Sequence, residues 1–246
     1  MREKEKNSKL IIIPTYNEST VIIDVLDKIR ETSPDADILI VDDNSPDGTG
    51  GIIDRIAAED HSIKCLHRPQ KMGIGPAYID GFKWALSGNY KYVLQMDADF
   101  SHNPEHVPKL FETAREYDLV IGSRYTPGGK IENWNILRKL VSRFGSFYSK
   151  IILGLPINDL TGGFKCFKVS LLKKIKLDEI LTRGYAFQIE MTYRAFQKGA
   201  KIKEIPITFT DRREGKTKMT WYIFFEAIFA VLKLRFHKKS RNICRF

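Results

Sequence analysis

Apolar and polar positions fall into blocks along the first half of the chain, and the period of the pattern alternates from block to block. Residues 10–13, 38–41, 92–96 and 119–122 are short, nearly continuous apolar runs. Such runs mark strands buried on both faces of a parallel sheet, and a further strand is expected at 63–66. Between them the spacing becomes helical: Val21, Ile22, Val25, Leu26 and Ile29 share one face behind Ser19-Thr20, which can cap the helix. Further helices are expected near 50–59, 75–86 and 104–117. Repeated βα units predict an α/β protein with an open, mainly parallel sheet that binds ligands at the carboxyl ends of its strands.

The pattern changes beyond residue 125. Residues 134–153 form an expected amphipathic helix in which Arg138, Lys139 and Arg143 lie among Leu137, Leu140, Val141 and Phe144. A turn-rich stretch, 159–165, precedes a helix at 185–198 that contains Gln188 and Glu190. Residues 202–210 alternate as a strand, with Pro206 marking a sheet edge. A polar loop, 211–218, leads to the aromatic-rich segment 221–236, which is apolar from Trp221 to Leu232 except for Glu226. A membrane span needs roughly 20 apolar residues, so this segment is too short to cross. It reads as a core helix or an interfacial one, and Trp221, Tyr222 and the basic tail from Arg235 to Lys239 favour the interface. The expected organisation is a catalytic domain over 1–218 and a membrane-interface helix with a basic tail over 219–246.

Composition is that of a globular protein with ample core: 246 residues, 43% hydrophobic and 28% charged. The net charge of +10 points to polyanionic partners such as phosphorylated substrates or an anionic membrane surface. Nucleic acid would explain the charge, but no nucleic-acid-binding motif is present. Cys65, Cys166 and Cys244 are widely spaced and read as reduced thiols. Residues 2–6 are all charged, and the start lacks the apolar core of a signal peptide. The expected location is therefore peripheral, on the cytoplasmic face of a membrane.

Candidate chemistry collects at the strand ends. Asp97-Ala98-Asp99 follows the fourth strand, and residues two apart point the same way. Two adjacent carboxylates are costly unless a cation lies between them, and their oxygens suit Mg²⁺ or Mn²⁺, which completes its shell with substrate phosphates. By itself an Asp-x-Asp also describes a solvated turn. The other strand ends carry Pro14-Thr15-Tyr16-Asn17-Glu18, Asp42-Asp43 and Gly122-Ser123-Arg124-Tyr125. Asp43 can accept from a base or ribose, whereas Asp42 suits a turn-capping role. Gly73 and Gly75 lack the spacing of a phosphate-binding loop and suit a turn with close helix packing.

The strings Ile12-Ile13-Pro14-Thr15-Tyr16-Asn17-Glu18, Val41-Asp42-Asp43-Asn44-Ser45-Pro46-Asp47-Gly48-Thr49 and Met96-Asp97-Ala98-Asp99 resemble the family-2 glycosyltransferases of GT-A fold. More narrowly, Gly122-Ser123-Arg124-Tyr125, Gly128-Gly129, Asn133-Trp134, Arg138 and Ser142-Arg143 resemble the dolichyl-phosphate (polyprenyl-phosphate) mannosyltransferases. So do Thr161-Gly162-Gly163-Phe164-Lys165, Phe187-Gln188-Ile189-Glu190-Met191, and Arg212 with Gly215-Lys216-Thr217-Lys218. The resemblance implies inverting transfer of mannose from GDP-mannose to a membrane polyprenyl or dolichyl monophosphate. It implies Pro14, Tyr16, Glu18, Val41 and Asp43 around the nucleotide, and Asp97, Ala98 and Asp99 at the diphosphate and metal. Arg124, Arg138 and Ser142 would bind the acceptor phosphate, and Arg212 and Lys218 the donor. Asp97, Asp99 and Arg124 are thus the expected catalytic residues. Where the family commonly has Gln as a further metal ligand, this chain has Ser101, followed by His102. Water or His102 could complete the shell instead.

An acceptor phosphate is largely anionic at neutral pH, so it needs positioning more than a general base. Alternatives from the sequence are a UDP-glucose-dependent polyprenyl-phosphate glucosyltransferase and a non-catalytic nucleotide-sugar-binding subunit. Membrane-anchoring partner subunits are compatible with either enzyme reading.

Overall fold

The computed structural model describes residues 8–182, 184–211 and 228–236. Four parallel strands, β1 (Lys9–Thr15), β2 (Asp37–Asp42), β3 (Ile63–His67) and β4 (Tyr92–Gln95), alternate with α1 (Ile22–Thr32), α2 (Thr49–Glu59) and α3 (Ile74–Ser87). A 3₁₀ turn, Pro104–His106, and α4 (Val107–Thr113) lead to β5 (Leu119–Ser123). The expected helix over 104–117 is thus shorter and opens with a tighter turn, set by Pro104 and capped by Asn103.

The second half adds β6 (Lys130–Ile131), α5 (Ile136–Leu153), β7 (Lys165–Lys168), α6 (Val169–Leu172), α7 (Gly184–Gln197), β8 (Ile202–Pro206) and β9 (Thr208–Phe209). The main sheet runs β3-β2-β1-β4-β7-β5-β8, with β6 and β9 paired separately. β8 is an edge strand, which tolerates Pro206. β7, absent from the sequence reading, inserts antiparallel between β4 and β5. The sheet is therefore mixed but mainly parallel, with helices on both faces.

The strand residues divide by parity between two cores. Leu10, Ile12, Leu39, Val93 and Ile121 pack with Tyr78 and Phe82 of α3 and with Phe187 of α7. Ile11, Ile13, Ile40, Leu94 and Val120 pack with Ile22, Val25 and Ile29 of α1 and with Leu110 of α4. Strand order reverses between β1 and β4, and at such a switch point the loops part to leave a crevice.

α5 turns an inverted surface outward. Ile136, Leu137, Leu140, Phe147 and Ile151 are each at least 59% exposed, while Ser146 and Ser149 are buried. Residues 228–236 are helical. Val231 and Leu234 join the core while Phe229 and Phe236 stay exposed, and Tyr148 Oη donates to the Ile228 carbonyl at 3.4 Å. That part of the expected interface helix is therefore anchored in the fold. The expected division at residue 218, with Arg212, Lys218, Trp221 and Tyr222, lies outside the described residues. No helix among the described residues is long and apolar enough to cross a membrane.

Candidate functional site

A cleft of about 410 Å³ opens over the carboxyl ends of β1 and β4. Pro14, Tyr16, Glu18 and Asp43 line it, as do Asp97, Asp99, Ser101, Arg124, Arg138 and Ser142. β4 ends at Gln95, and in the bend that follows Asp97 and Asp99 reach the cleft while Ala98, between them, is 3% exposed and belongs to the core. Ala98 therefore offers the cleft no side chain. Nor does Val41, which is fully buried and would touch a Cβ on Gly81 at 3.4 Å. The Val41 side chain is thus packed in the core, and its expected place around the nucleotide rests on its backbone.

The two turn aspartates divide their work. Asp42, buried, accepts from Thr15 Oγ1 (2.8 Å) and from the Ser45 amide (2.9 Å) and hydroxyl (2.6 Å), so it ties β1 to the turn after β2. Asp43 pairs with Arg68 and accepts from the amides of Met72 (3.1 Å) and Gly73 (2.9 Å). It anchors the 72–73 turn while reaching the cleft, and a carboxylate's remaining acceptor capacity can still meet a ligand. Gly73 needs its left-handed φ of +94°, and Gly75 lies against Phe187, where a Cβ would come within 3.3 Å.

Around the carboxylate pair, Tyr78 donates to Asp97 Oδ1 at 3.2 Å, and the Ser101 amide donates to Asp99 Oδ1 at 3.0 Å. Burial raises the Tyr78 pKa well above its usual value, assisted by Asp97, so the phenol stays a donor. His102 is buried and stacks on Phe164 at 4.8 Å. Its Nδ1 accepts from the Asp97 amide at 3.0 Å, and burial lowers its pKa against the pull of Asp97 and Asp99. A neutral imidazole with Nδ1 as acceptor carries its proton on Nε2, so neither nitrogen is disposed to ligate. His102 is thereby removed from the candidate metal shell. Asp97, Asp99 and the Ser101 hydroxyl remain, an all-oxygen set that fits Mg²⁺ or Mn²⁺.

The cationic wall is built differently from the sequence expectation. Arg124 Nε and Nη2 donate to the two oxygens of fully buried Asp159, each at 2.7 Å, and Nη2 also reaches Thr161 Oγ1 at 2.8 Å. Burial would raise the Asp159 pKa, but the Arg124 charge and hydrogen bonds outweigh it and hold the carboxyl below its usual range. The Arg124 charge is thus offset from behind, and Asp159, 35 residues away in sequence, is a partner that sequence reasoning missed. Arg138 stacks over Trp134 at 4.0 Å and pairs with Asp211 at 2.7 Å. Ser142 Oγ accepts from Tyr125 Oη at 2.8 Å.

A separate group, Asp54, Cys65 and His67, has ligand atoms mutually within 4.8 Å. None of the three lines the cleft. Asp54 holds His67 Nε2 at 2.9 Å, and burial, with the nearby Asp54 and Asp42 charges, pushes the Cys65 thiol up to about 12. That thiol is not a nucleophile.

Residues 10–176 match the family model described as glycosyl transferase family 2. An undecaprenyl-phosphate mannosyltransferase of Micrococcus luteus is 48% identical over 224 residues, covering 91% of this chain and 92% of that protein. A polyprenol monophosphomannose synthase of Mycolicibacterium smegmatis is 42% identical, covering 90% and 84%. Among solved structures, a mannosyltransferase of Pyrobaculum calidifontis in complex with GDP-Man and Mn²⁺ superposes with a TM-score of 0.62 at 17% identity, covering 95% of this chain and 64% of that one. Glucosyl-3-phosphoglycerate synthase of Mycobacterium tuberculosis, with Mn²⁺, UDP-glucose and phosphoglyceric acid, gives 0.67 at 19%, covering 93% and 79%. These last two likenesses establish the fold alone.

Proposed function

The chain belongs to glycosyl transferase family 2, and on that footing we propose that it moves mannose from GDP-mannose to a polyprenyl monophosphate at a membrane surface. The observation that carries this reading is one cleft with two differently built walls. One wall is the oxygen-rich end of β1 and β4; the other is α5, which brings Arg138 and Ser142 to the cleft and turns a row of large apolar side chains outward. Both mannosyltransferase relatives carry polyprenyl acceptors in their names, and the Pyrobaculum enzyme holds GDP-Man.

In this reading Pro14, Tyr16, Glu18 and Asp43 receive the nucleotide, and Asp97 and Asp99, with Ser101, would hold Mg²⁺ or Mn²⁺ beside the diphosphate. When bound, such an ion takes up negative charge as the diphosphate leaves. An oxygen of the acceptor phosphate forms the new bond to the anomeric carbon as the bond to the donor diphosphate breaks. GDP departs with that electron pair. The proposal includes inversion, since the acceptor oxygen displaces the diphosphate in one step. No residue need remove a proton, since the acceptor phosphate already carries its charge. Arg138 would exchange Asp211 for the phosphate, while Arg124, held flat by Asp159, lines the same wall. The roles of Arg212 and Lys218 at the donor belong to the same proposal.

The same proposal includes peripheral placement on the cytoplasmic face of a membrane, and the α5 surface supports its peripheral part. Its exposed apolar row, with Arg143 and Lys139 beside it, suits the plane of an anionic membrane. The test is a donor screen with GDP-mannose, GDP-glucose and UDP-glucose against a polyprenyl phosphate in Mg²⁺ or Mn²⁺. Transfer of mannose from GDP-mannose is the expected result. Transfer from UDP-glucose alone would overturn the mannose assignment.

A further inference from the structure

Gln188 is a buried polar side chain that none of the roles above uses. It lies near the start of α7, is 5% exposed, and lines the cleft. Its Oε1 has no hydrogen-bond partner among the described residues. A buried amide left in that state is costly unless a ligand completes it. The backbone beneath it is clamped, because its carbonyl accepts from Lys165 Nζ at 2.7 Å and from Thr192 Oγ1 at 3.0 Å. The carboxamide therefore projects from a fixed base, as a recognition group must.

Gly163, which lacks a side chain, lies beside Gln188 on the cleft wall. A Cβ on Gly163 would lie 3.4 Å from Gln188 Nε2, 3.4 Å from His102 Cε1 and 3.9 Å from Asp97 Oδ1. Gly163, Gln188 and Asp97 therefore adjoin one another on the cleft wall, and Asp97 is the carboxylate proposed to face the donor diphosphate. The sugar of a nucleotide-sugar is joined to that diphosphate, so a sugar held there would come within reach of this part of the wall.

We propose that Gln188 is a specificity-determining residue whose carboxamide reads hydroxyls of the transferred sugar, in a seat left open by Gly163. The inference rests on the glycosyl-transfer reading above and adds to it the group that tells one sugar from another. An amide offers one acceptor and two donors, which match neighbouring hydroxyls. A carboxylate at the same place would add a third negative charge beside Asp97 and Asp99 and repel the diphosphate.

The test titrates the full chain with GDP, GDP-mannose and the monodeoxy forms of GDP-mannose in Mn²⁺, comparing wild type with Gln188→Leu and Gly163→Ala. Gln188→Leu should bind GDP within twofold of wild type but lose about tenfold of its preference for GDP-mannose over GDP, as for one neutral hydrogen bond. One deoxy donor should weaken wild type about tenfold and Gln188→Leu no further. Gly163→Ala makes only ordinary contacts with the protein, so it should fold and keep GDP affinity while binding the sugar-bearing donor more weakly. The proposal is overturned if every deoxy donor costs the variant as much as wild type, or if GDP affinity falls in step with GDP-mannose. If wild type prefers UDP-glucose, the mannose reading fails, and the same comparison with UDP-glucose and its deoxy forms decides Gln188. If wild type binds neither nucleotide-sugar, both fall.

Discussion

Asp99 and Arg124 stand on the same cleft but owe their positions to different forces, and their substitutions should separate accordingly. Asp99 is half-buried at the rim, so Asp99→Ala should leave the melting temperature nearly unchanged. Transfer should fall about a thousandfold, the order of several kcal/mol that a metal supplies. Near-normal transfer in metal-depleted buffer would remove the metal role from both aspartates. Asp159→Ala is the opposite case. It strips the partner from a buried guanidinium and should cost about 3–5 kcal/mol of stability by chemical denaturation. Arg138→Ala should raise the acceptor KM about tenfold or more, the loss of one charged hydrogen bond, while GDP affinity holds. A parallel loss of GDP affinity would move Arg138 to the donor side. At this scale the sequence was informative where chemistry follows a strand: the Asp-x-Asp pair was legible because it comes directly after the apolar run of β4. The Arg124–Asp159 pair was hidden because its members come from turns 35 residues apart.

The elements show why some of the fold was legible and some was not. β1, β2 and β4 announced themselves because a strand buried on both faces must be apolar throughout. β7 gave no such signal: Lys165-Cys166-Phe167-Lys168 is four residues long and ends in lysines. Lys165 is nevertheless fully buried, reaching across to Gln188 and Thr192 of α7. Burial lowers its pKa to about 7, against the attraction of Asp159. The unfolded lysine, at its ordinary value, keeps its proton to higher pH than the folded one does. The contribution to stability therefore rises between about pH 7 and the ordinary lysine range, and is least below pH 7. Lys165→Met should flatten that slope in urea midpoints measured across the window; an unchanged slope would place the lysine in a charged state at neutral pH. α5 makes the complementary point, since its amphipathic pattern was legible but not which face is outward. Replacing Leu137, Phe147 and Ile151 with serine should weaken binding to anionic liposomes and spare GDP binding. High salt should weaken wild-type binding only in part, because it screens the basic residues and leaves the apolar row. Loss of stability with unchanged liposome binding would make the row a packing surface instead.

At the scale of the whole molecule, the switch in strand order, the oxygen-rich end of β1 and β4, and the outward apolar row of α5 become one device. In the proposed reading the sheet would hold the donor, α5 would hold the acceptor, and the outer face of α5 would set both at the level of a lipid headgroup. The helical residues 228–236 are part of that body, since Val231 and Leu234 are buried. Removing the segment should therefore lower stability as well as membrane binding. The central claim is that donor and acceptor meet in this cleft, and transfer tests it most directly. Purified protein is mixed with radiolabelled GDP-mannose, Mn²⁺ or Mg²⁺, and liposomes that carry polyprenyl phosphate. The account predicts mannose in the lipid phase, dependent on the metal and absent for Asp99→Ala. Label that stays in the aqueous phase for wild type, with GDP-mannose bound and the metal present, would contradict it.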